Sequence, residues 1–115
     1  MWEYQAEVVS VHDGDTFTLD LDLGVDVRTR QRVRLRGVDA PELATVEGRA
    51  AREKTRLLLP VGSSVVVQTE QTRARSVDRE KYGRLLAAVT LPDGRDLAAA
   101  LVAAGHAWPW TGRRP

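Results

Sequence analysis

The fold is decided by residues 33–42, Val-Arg-Leu-Arg-Gly-Val-Asp-Ala-Pro-Glu. Apolar and basic residues alternate through the first four positions, which is the period of two of a strand with one buried face. Gly37 and Pro41 end the strand, because glycine frees the backbone and proline disfavours helix at the residue before it. Asp39 and Glu42 therefore follow a strand that carries arginines. Carboxylates suit a hard divalent cation and guanidinium groups suit a phosphate, so the stretch predicts chemistry on a phosphate.

Other stretches have the pattern of short strands. In residues 16–23, phenylalanine and leucine alternate with threonine and aspartate, which predicts a half-buried strand. Leu23 belongs to its apolar face and Thr16 to its polar face. The strand that enters the fold-deciding stretch begins near Arg32. Three further strands, rich in valine, leucine and alanine, are predicted over residues 6–11, 65–68 and 85–91.

Two helices are predicted. The first covers residues 49–59, and its expected buried stripe consists of Ala50, Lys54, Leu57 and Leu58. The second covers residues 97–104, with Asp96 as its N-cap and Gly105 as its C-terminal stop. Residues 71–81 are highly charged and have no apolar pattern, which indicates a mobile loop.

The order of these elements is three strands, a helix, two strands and a helix, which is the arrangement of an OB-fold. The sequence therefore predicts a mainly β fold with some α (α+β), a five-stranded OB-fold barrel with two helices and without a long C-terminal helix. The length is that of a single domain, spanning residues 1–115. Such barrels bind oligonucleotides on an exposed sheet face and its loops.

Composition narrows the chemistry. The chain contains no cysteine, which excludes disulfides, zinc–thiolate sites and thiol nucleophiles. A net charge of +1 does not by itself indicate a nucleic-acid binder. The 15 arginines against 2 lysines favour phosphate recognition, unless they reflect the codon bias of a GC-rich genome. No signal-peptide or membrane-spanning pattern is present, so we expect a cytoplasmic protein that does not bind membranes. A trimmed form of a secreted protein would have the same pattern and stays open as the alternative.

Three motifs follow one another along the chain: Asp13-Gly14-Asp15-Thr16, residues 34–42, and Lys81-Tyr82-Gly83-Arg84. Each motif alone is typical of a turn or of a junction between a loop and a strand. Together they resemble the staphylococcal nuclease (thermonuclease) family over about residues 6–107. The resemblance implies a five-stranded OB barrel and calcium-dependent hydrolysis of phosphodiester bonds in DNA and RNA.

The resemblance also implies a metal site. Asp15 and Asp39 would be the carboxylate ligands of a single Ca²⁺, and the backbone carbonyl of Ala40 would add a third oxygen. Glu42 would position or deprotonate the attacking water. Asp13 would lie behind the ligands, in contact with them rather than with the cation.

The substrate contacts that the resemblance implies come from the other motif residues. Arg34 and Arg84 would bind the scissile phosphate and act in catalysis. Lys81 and Tyr82 would contact the neighbouring phosphate or sugar. The expected partners are therefore DNA or RNA.

Several alternatives remain open from the sequence. Trp110 could stack on a base, or Trp108 and Trp110 could simply cover the end of the barrel. His12 and His106 are expected to be structural rather than catalytic. The alternative function is a catalytically inactive OB-fold module that binds nucleic acid, although such modules tend to lose the acidic and arginine residues that this chain keeps. The oligomeric state is open, and a dimer through the truncated C-terminal end is one possibility.

Overall fold

The computed structural model describes residues 2–70, 79 and 83–110. The elements formed by these residues are β1 (Trp2–Asp13), β2 (Thr16–Asp22), β3 (Arg28–Leu35), β4 (Val38–Asp39), α1 (Val46–Leu58), β5 (Ser64–Thr69), β6 (Leu85–Thr90), α2 (Leu97–Ala103) and β7 (Trp108–Pro109). The loop predicted over residues 71–81 lies outside the described residues except for Arg79, and so do the predicted site residues Lys81 and Tyr82.

Five strands close into a barrel in the order β1-β2-β3-β6-β5. This confirms the predicted OB-fold arrangement, a mainly β fold with two helices among the described residues. Neighbouring strands pair antiparallel, except that β3 and β6 pair in parallel, with Val33 opposite Leu85 and Leu35 opposite Ala87. The parallel pair closes the barrel, and it brings the beginning of β6 beside the end of β3.

The inward faces of the five strands form one apolar core. Of the apolar face predicted for β2, the core includes Phe17, Leu19 and Leu21 but not Leu23. Phe17 and Leu19 are fully buried, as the alternation in the sequence predicted. The prediction was wrong for Leu23, which is 47% exposed because β2 ends at Asp22. It was also incomplete for Thr16, which belongs to the polar face but is only 1% exposed, with its hydroxyl hydrogen-bonded to Asp15 and Arg84.

Helix α1 begins at Val46 rather than at residue 49 as predicted. The cause is an N-cap that the prediction did not include. The hydroxyl of Thr45 accepts a hydrogen bond from the N–H of Gly48 at 2.9 Å, which satisfies one of the unpaired donors of the first turn.

The predicted stripe of α1 was wrong in part. Ala50 is exposed and Leu57 is 75% exposed, whereas Lys54 is half-buried and the half-buried Leu58 packs against the core. The buried residues within α1 are Gly48, Ala51 and Thr55, which are small. Small side chains let the helix approach the β1–β2 turn closely. There the Thr55 hydroxyl donates to the backbone carbonyl of Gly14 at 2.8 Å.

Helix α2 has the predicted caps. The Asp96 carboxylate accepts from the N–H of Ala99 at 3.0 Å, and Gly105 leaves the helix with φ +79. The backbone N–H of His106 then donates to the carbonyl of Leu101 at 2.9 Å, so this residue helps to cap the helix through its backbone. Within the described part of the chain, no helix is long and apolar enough to span a membrane.

A small ribbon outside the barrel was not predicted. Strand β4 pairs antiparallel with β7, which places Asp39 opposite Trp108. The N–H of Trp110 extends the pairing by donating to the carbonyl of Gly37 at 2.9 Å. The tryptophan-containing segment therefore lies along the short strand that carries a predicted metal ligand.

Candidate functional site

Residues of the first and third sequence motifs lie beside the end of β3, which carries the second motif, at one end of the barrel. The turn between β1 and β2 carries Asp15, the end of β3 carries Arg34, and Arg84 immediately precedes β6. The strand register places Thr16 opposite Arg34, and the N–H of Leu35 donates to the carbonyl of Asp15 at 2.8 Å. The backbone of the barrel therefore fixes how these side chains face one another.

Arg34 lies between two carboxylates. Its Nη1 is 3.4 Å from Oδ2 of Asp15, and its Nη2 is 3.2 Å from Oδ1 of Asp39. Nη1 also donates to the carbonyls of Leu35 and Val38, each at 2.8 Å. Because this side chain is only 14% exposed and makes four polar contacts, the guanidinium is fixed in position.

Asp15 is the buried carboxylate of the site, with 7% of its surface exposed. Its Oδ2 accepts from the backbone N–H of Ala40 at 2.9 Å. Its Oδ1 accepts from the hydroxyl of Thr16 at 3.3 Å, and that hydroxyl accepts from Nη1 of Arg84 at 3.0 Å. One carboxylate thus connects Arg34 with Arg84, the two predicted phosphate-binding residues. The contribution of Thr16 was not predicted from the sequence.

A second carboxylate lies next to Asp15. Asp13 accepts from the backbone N–H of Asp15 at 3.1 Å. Burial raises the pKa of the Asp13 carboxyl above its usual range, and the neighbouring Asp15 carboxyl raises it further. A second negative charge at this turn is therefore unfavourable, and a bound cation would offset the repulsion between the two carboxylates.

Glu42 lies on the loop that leads from β4 into α1, and it is exposed. Its carbonyl accepts from the N–H of Thr45 at 3.0 Å and from the Thr45 hydroxyl at 2.6 Å. The loop touches the helix directly, since a Cβ on Gly48 would lie 1.8 Å from the Glu42 carbonyl oxygen. Only glycine fits there. Glycine costs a helix about 1 kcal/mol of stability relative to alanine. A glycine in the first turn of a helix is therefore a sequence signal that another segment packs closely against it.

A second glycine lets the segment with the predicted metal ligands Asp39 and Ala40 lie close to α1. A Cβ on Gly14 would lie 2.9 Å from Cβ of Ala40 and 3.0 Å from Cβ of Ala51. The β1–β2 turn, the segment after β4 and the helix therefore meet at Gly14. Neither this packing nor the requirement for glycine was predicted from the sequence.

The oxygen donors that the sequence predicts for a cation are the carboxylates of Asp15 and Asp39 and the peptide carbonyl of Ala40. In the structure the two carboxylates lie on either side of Arg34. Within residues 2–70, 79 and 83–110, no group of three or more His, Cys, Asp or Glu side chains is arranged to hold a metal ion. Two carboxylates and a carbonyl are nevertheless hard ligands of the kind that Ca²⁺ takes together with water. The donor set therefore fits a calcium ion.

The closed five-stranded barrel is of the OB type. The carboxylates and arginines at one end of it form a site that is suited to a phosphate group. The family model described as "Staphylococcal nuclease homologue" matches residues 32–114. The chain belongs to this family, which confirms the resemblance that the three motifs carry.

Relatives with curated descriptions come from Escherichia coli O157:H7 and from Escherichia coli. Each is described as an "Uncharacterized endonuclease", and each is 35% identical to this chain over 106 residues. The matched region is 92% of this chain and 61% of the relative. The chain therefore spans less than two thirds of the length of the curated relatives it matches.

Replacement of Gly48 tests the close contact between α1 and the loop that carries Glu42. An alanine in a helix is usually more stable than glycine by about 1 kcal/mol. Because its Cβ would collide with the Glu42 carbonyl, we expect Gly48→Ala to lower the free energy of unfolding by about 1–3 kcal/mol instead. Urea unfolding measures the change. The reverse replacement at the exposed Ala50, Ala50→Gly, should cost about 1 kcal/mol through helix propensity alone. A Gly48→Ala variant more stable than the parent would contradict the contact.

The raised pKa of Asp13 predicts a pH-dependent stability. The folded chain binds this proton more tightly than the unfolded chain does, so the stabilisation is complete below the ordinary pKa and is lost as the pH rises through the raised value. Asp13→Asn keeps the oxygen that accepts from the Asp15 N–H and removes the charge. We expect its melting temperature in EDTA to exceed that of the parent at pH 7, with a gain that shrinks toward about pH 4. Thermal unfolding at the two pH values measures it. An increase in melting temperature of the same size at both pH values would show that the raised pKa of Asp13 is not its cause.

Proposed function

We propose that this chain is a calcium-dependent nuclease that hydrolyses phosphodiester bonds of DNA or RNA with water as the nucleophile. The observation that carries the proposal is the fixed Arg34, with the Asp15 and Asp39 carboxylates on either side of it. Membership of the staphylococcal nuclease homologue family and the endonuclease descriptions of the relatives support the same activity.

In this proposal Asp15, Asp39 and the carbonyl of Ala40 hold the calcium ion. When bound, Ca²⁺ supplies positive charge that polarises the phosphate and orients it for attack. The protein contributes the position of these ligands. Asp15 is held by the Ala40 N–H and the Thr16 hydroxyl, so its two oxygens cannot rotate freely.

Arg34 and Arg84 bind the scissile phosphate. A phosphodiester is anionic and repels a nucleophile, and charge grows on its outer oxygens as the attack proceeds. Fixed donors directed at that charge typically contribute roughly 3–4 kcal/mol each to the stabilisation of the transition state. Lys81 and Tyr82 are proposed to contact the neighbouring phosphate or sugar.

Glu42 is the proposed base. Its loop lies against the first turn of α1, and its side chain is exposed, so that water and substrate have access to it. It orients the attacking water and accepts its proton. Positioned acids and bases of this kind contribute on the order of 10²–10⁴-fold to rates.

Cleavage of single-stranded DNA by the purified protein tests the proposal. We expect cleavage in Ca²⁺, none in EDTA, and a loss on the order of 10²–10⁴-fold in kcat for Glu42→Gln because the base is removed. The matched control is Glu47→Gln, which removes the same charge from an exposed residue in the first turn of α1 and should cleave at the parental rate.

Two outcomes would contradict the proposal. Parental cleavage by Glu42→Gln would remove Glu42 from the role of base. Oligonucleotide binding without cleavage in Ca²⁺ would favour the alternative, a barrel that binds nucleic acid without catalysis.

A further inference from the structure

The ribbon formed by β2 and β3 carries a row of arginines that leads away from the site. The outward face of β3 presents its arginines to polar residues of β2, and the opposed pairs are Arg28 with Asp22, Arg30 with Asp20, Arg32 with Thr18 and Arg34 with Thr16. Aspartates therefore face the two arginines far from the site, and threonines face the two near it. Within the ribbon, β2 therefore supplies an opposing negative charge to Arg28 and Arg30 and none to Arg32 and Arg34.

The side-chain contacts follow this division. Arg30 is bound in a fork by Asp20, with Nε to Oδ1 at 2.8 Å and Nη2 to Oδ2 at 3.1 Å. Arg28 pairs with Glu7 at 3.5 Å. Arg34 has the two carboxylates of the site. On this ribbon Asp20 therefore both occupies one guanidinium and would repel a phosphate placed beside it.

Arg32 is different from its neighbours on the strand. It is exposed, and within the described part of the chain its guanidinium has no ion-pair or hydrogen-bond partner. The residue opposite it, Thr18, is half-buried and carries a hydroxyl that can donate to an oxygen anion. The position therefore offers an uncompensated positive charge and a neutral donor next to the site.

We propose that Arg32 forms a second phosphate-binding subsite, which holds the nucleic-acid phosphate adjacent to the scissile one. Residues two apart on a strand lie on the same face, about 7 Å apart along it. Arg32 and Arg34 are related in this way, and the separation is comparable with that of neighbouring phosphates in an extended single strand. The subsite is bounded by the Arg30–Asp20 pair. The inference rests on the proposed nuclease function, because the scissile phosphate defines its position.

Comparison of two substrates tests the subsite. A dinucleotide has one phosphodiester and no adjacent phosphate, whereas a single-stranded octanucleotide has both. We expect Arg32→Ala to lower the ratio of kcat/KM for the octanucleotide over that for the dinucleotide by about tenfold, the effect of one lost charge-assisted hydrogen bond. The control is Arg28→Ala, which removes the same charge from the same face of β3 and should leave the ratio unchanged.

The salt dependence of binding gives a readout that needs no cleavage. In the Glu42→Gln background, the slope of log affinity for the octanucleotide against log salt should become shallower by about 0.7 for Arg32→Ala, as expected for one lost phosphate contact on a single strand. Arg28→Ala should keep the parental slope.

The outcomes separate the subsite from the nuclease function. A parental substrate ratio and a parental salt slope in Arg32→Ala would overturn the subsite, and so would equal effects of Arg32→Ala and Arg28→Ala. A protein that cleaves neither substrate would overturn the nuclease function, and the salt slopes would still decide whether Arg32 binds a phosphate.

Discussion

The rest of the site depends on the guanidinium of Arg34. It holds a buried carboxylate, Asp15, and a half-exposed one, Asp39, while its Nη1 donates to the carbonyls at both ends of the turn from β3 to β4. A buried carboxylate without a partner is strongly unfavourable, and removal of one partner of such a pair typically costs about 3–5 kcal/mol. The pairing therefore couples the end of the barrel to the geometry of the site. It also keeps positive charge where the proposed phosphate binds.

The second constraint is the close approach of α1. Gly14 and Gly48 leave no room for a Cβ, and Thr55 binds the backbone of the β1–β2 turn from within the helix. This approach sets the position of the loop that carries Glu42 relative to the turn that carries Asp15. The proposed base and the proposed metal ligand thus belong to different elements, and small residues bring those elements together.

Much of the fold was predictable because the strands alternate regularly. The pattern of β2 gave its buried face correctly from Phe17 to Leu21. The candidate site residues came from the motifs that resemble the family, and the structure brings Asp15, Arg34, Asp39 and Arg84 together at one end of the barrel. The buried face of α1 was not predictable from apolar periodicity, since Leu57 is exposed while Thr55 is buried. The buried face of α1 is determined by hydrogen bonding and by close backbone packing, and neither can be recognised from the pattern of hydrophobic residues. The β4–β7 ribbon was missed because two-residue strands have no period.

The distinction between Arg30 and Arg32 also lies beyond the sequence. Both are arginines on one face of β3, and only the register with β2 puts an aspartate beside the first and a threonine beside the second. Register is a tertiary property, set by the turn between the strands and by burial of the opposite face. The structure thus separates an arginine that is paired with an aspartate from one that has no such partner among the described residues.

Calorimetric titration of Ca²⁺ into the metal-free protein and into Asp39→Ala tests the central claim most directly. The claim is that the carboxylates held by Arg34 form a cation site. It predicts one calcium ion bound per chain of the parent protein and loss of that binding in the variant, with the fold of the variant checked by circular dichroism. Calcium binding of equal affinity and stoichiometry in Asp39→Ala, or no binding to the parent protein, would contradict it.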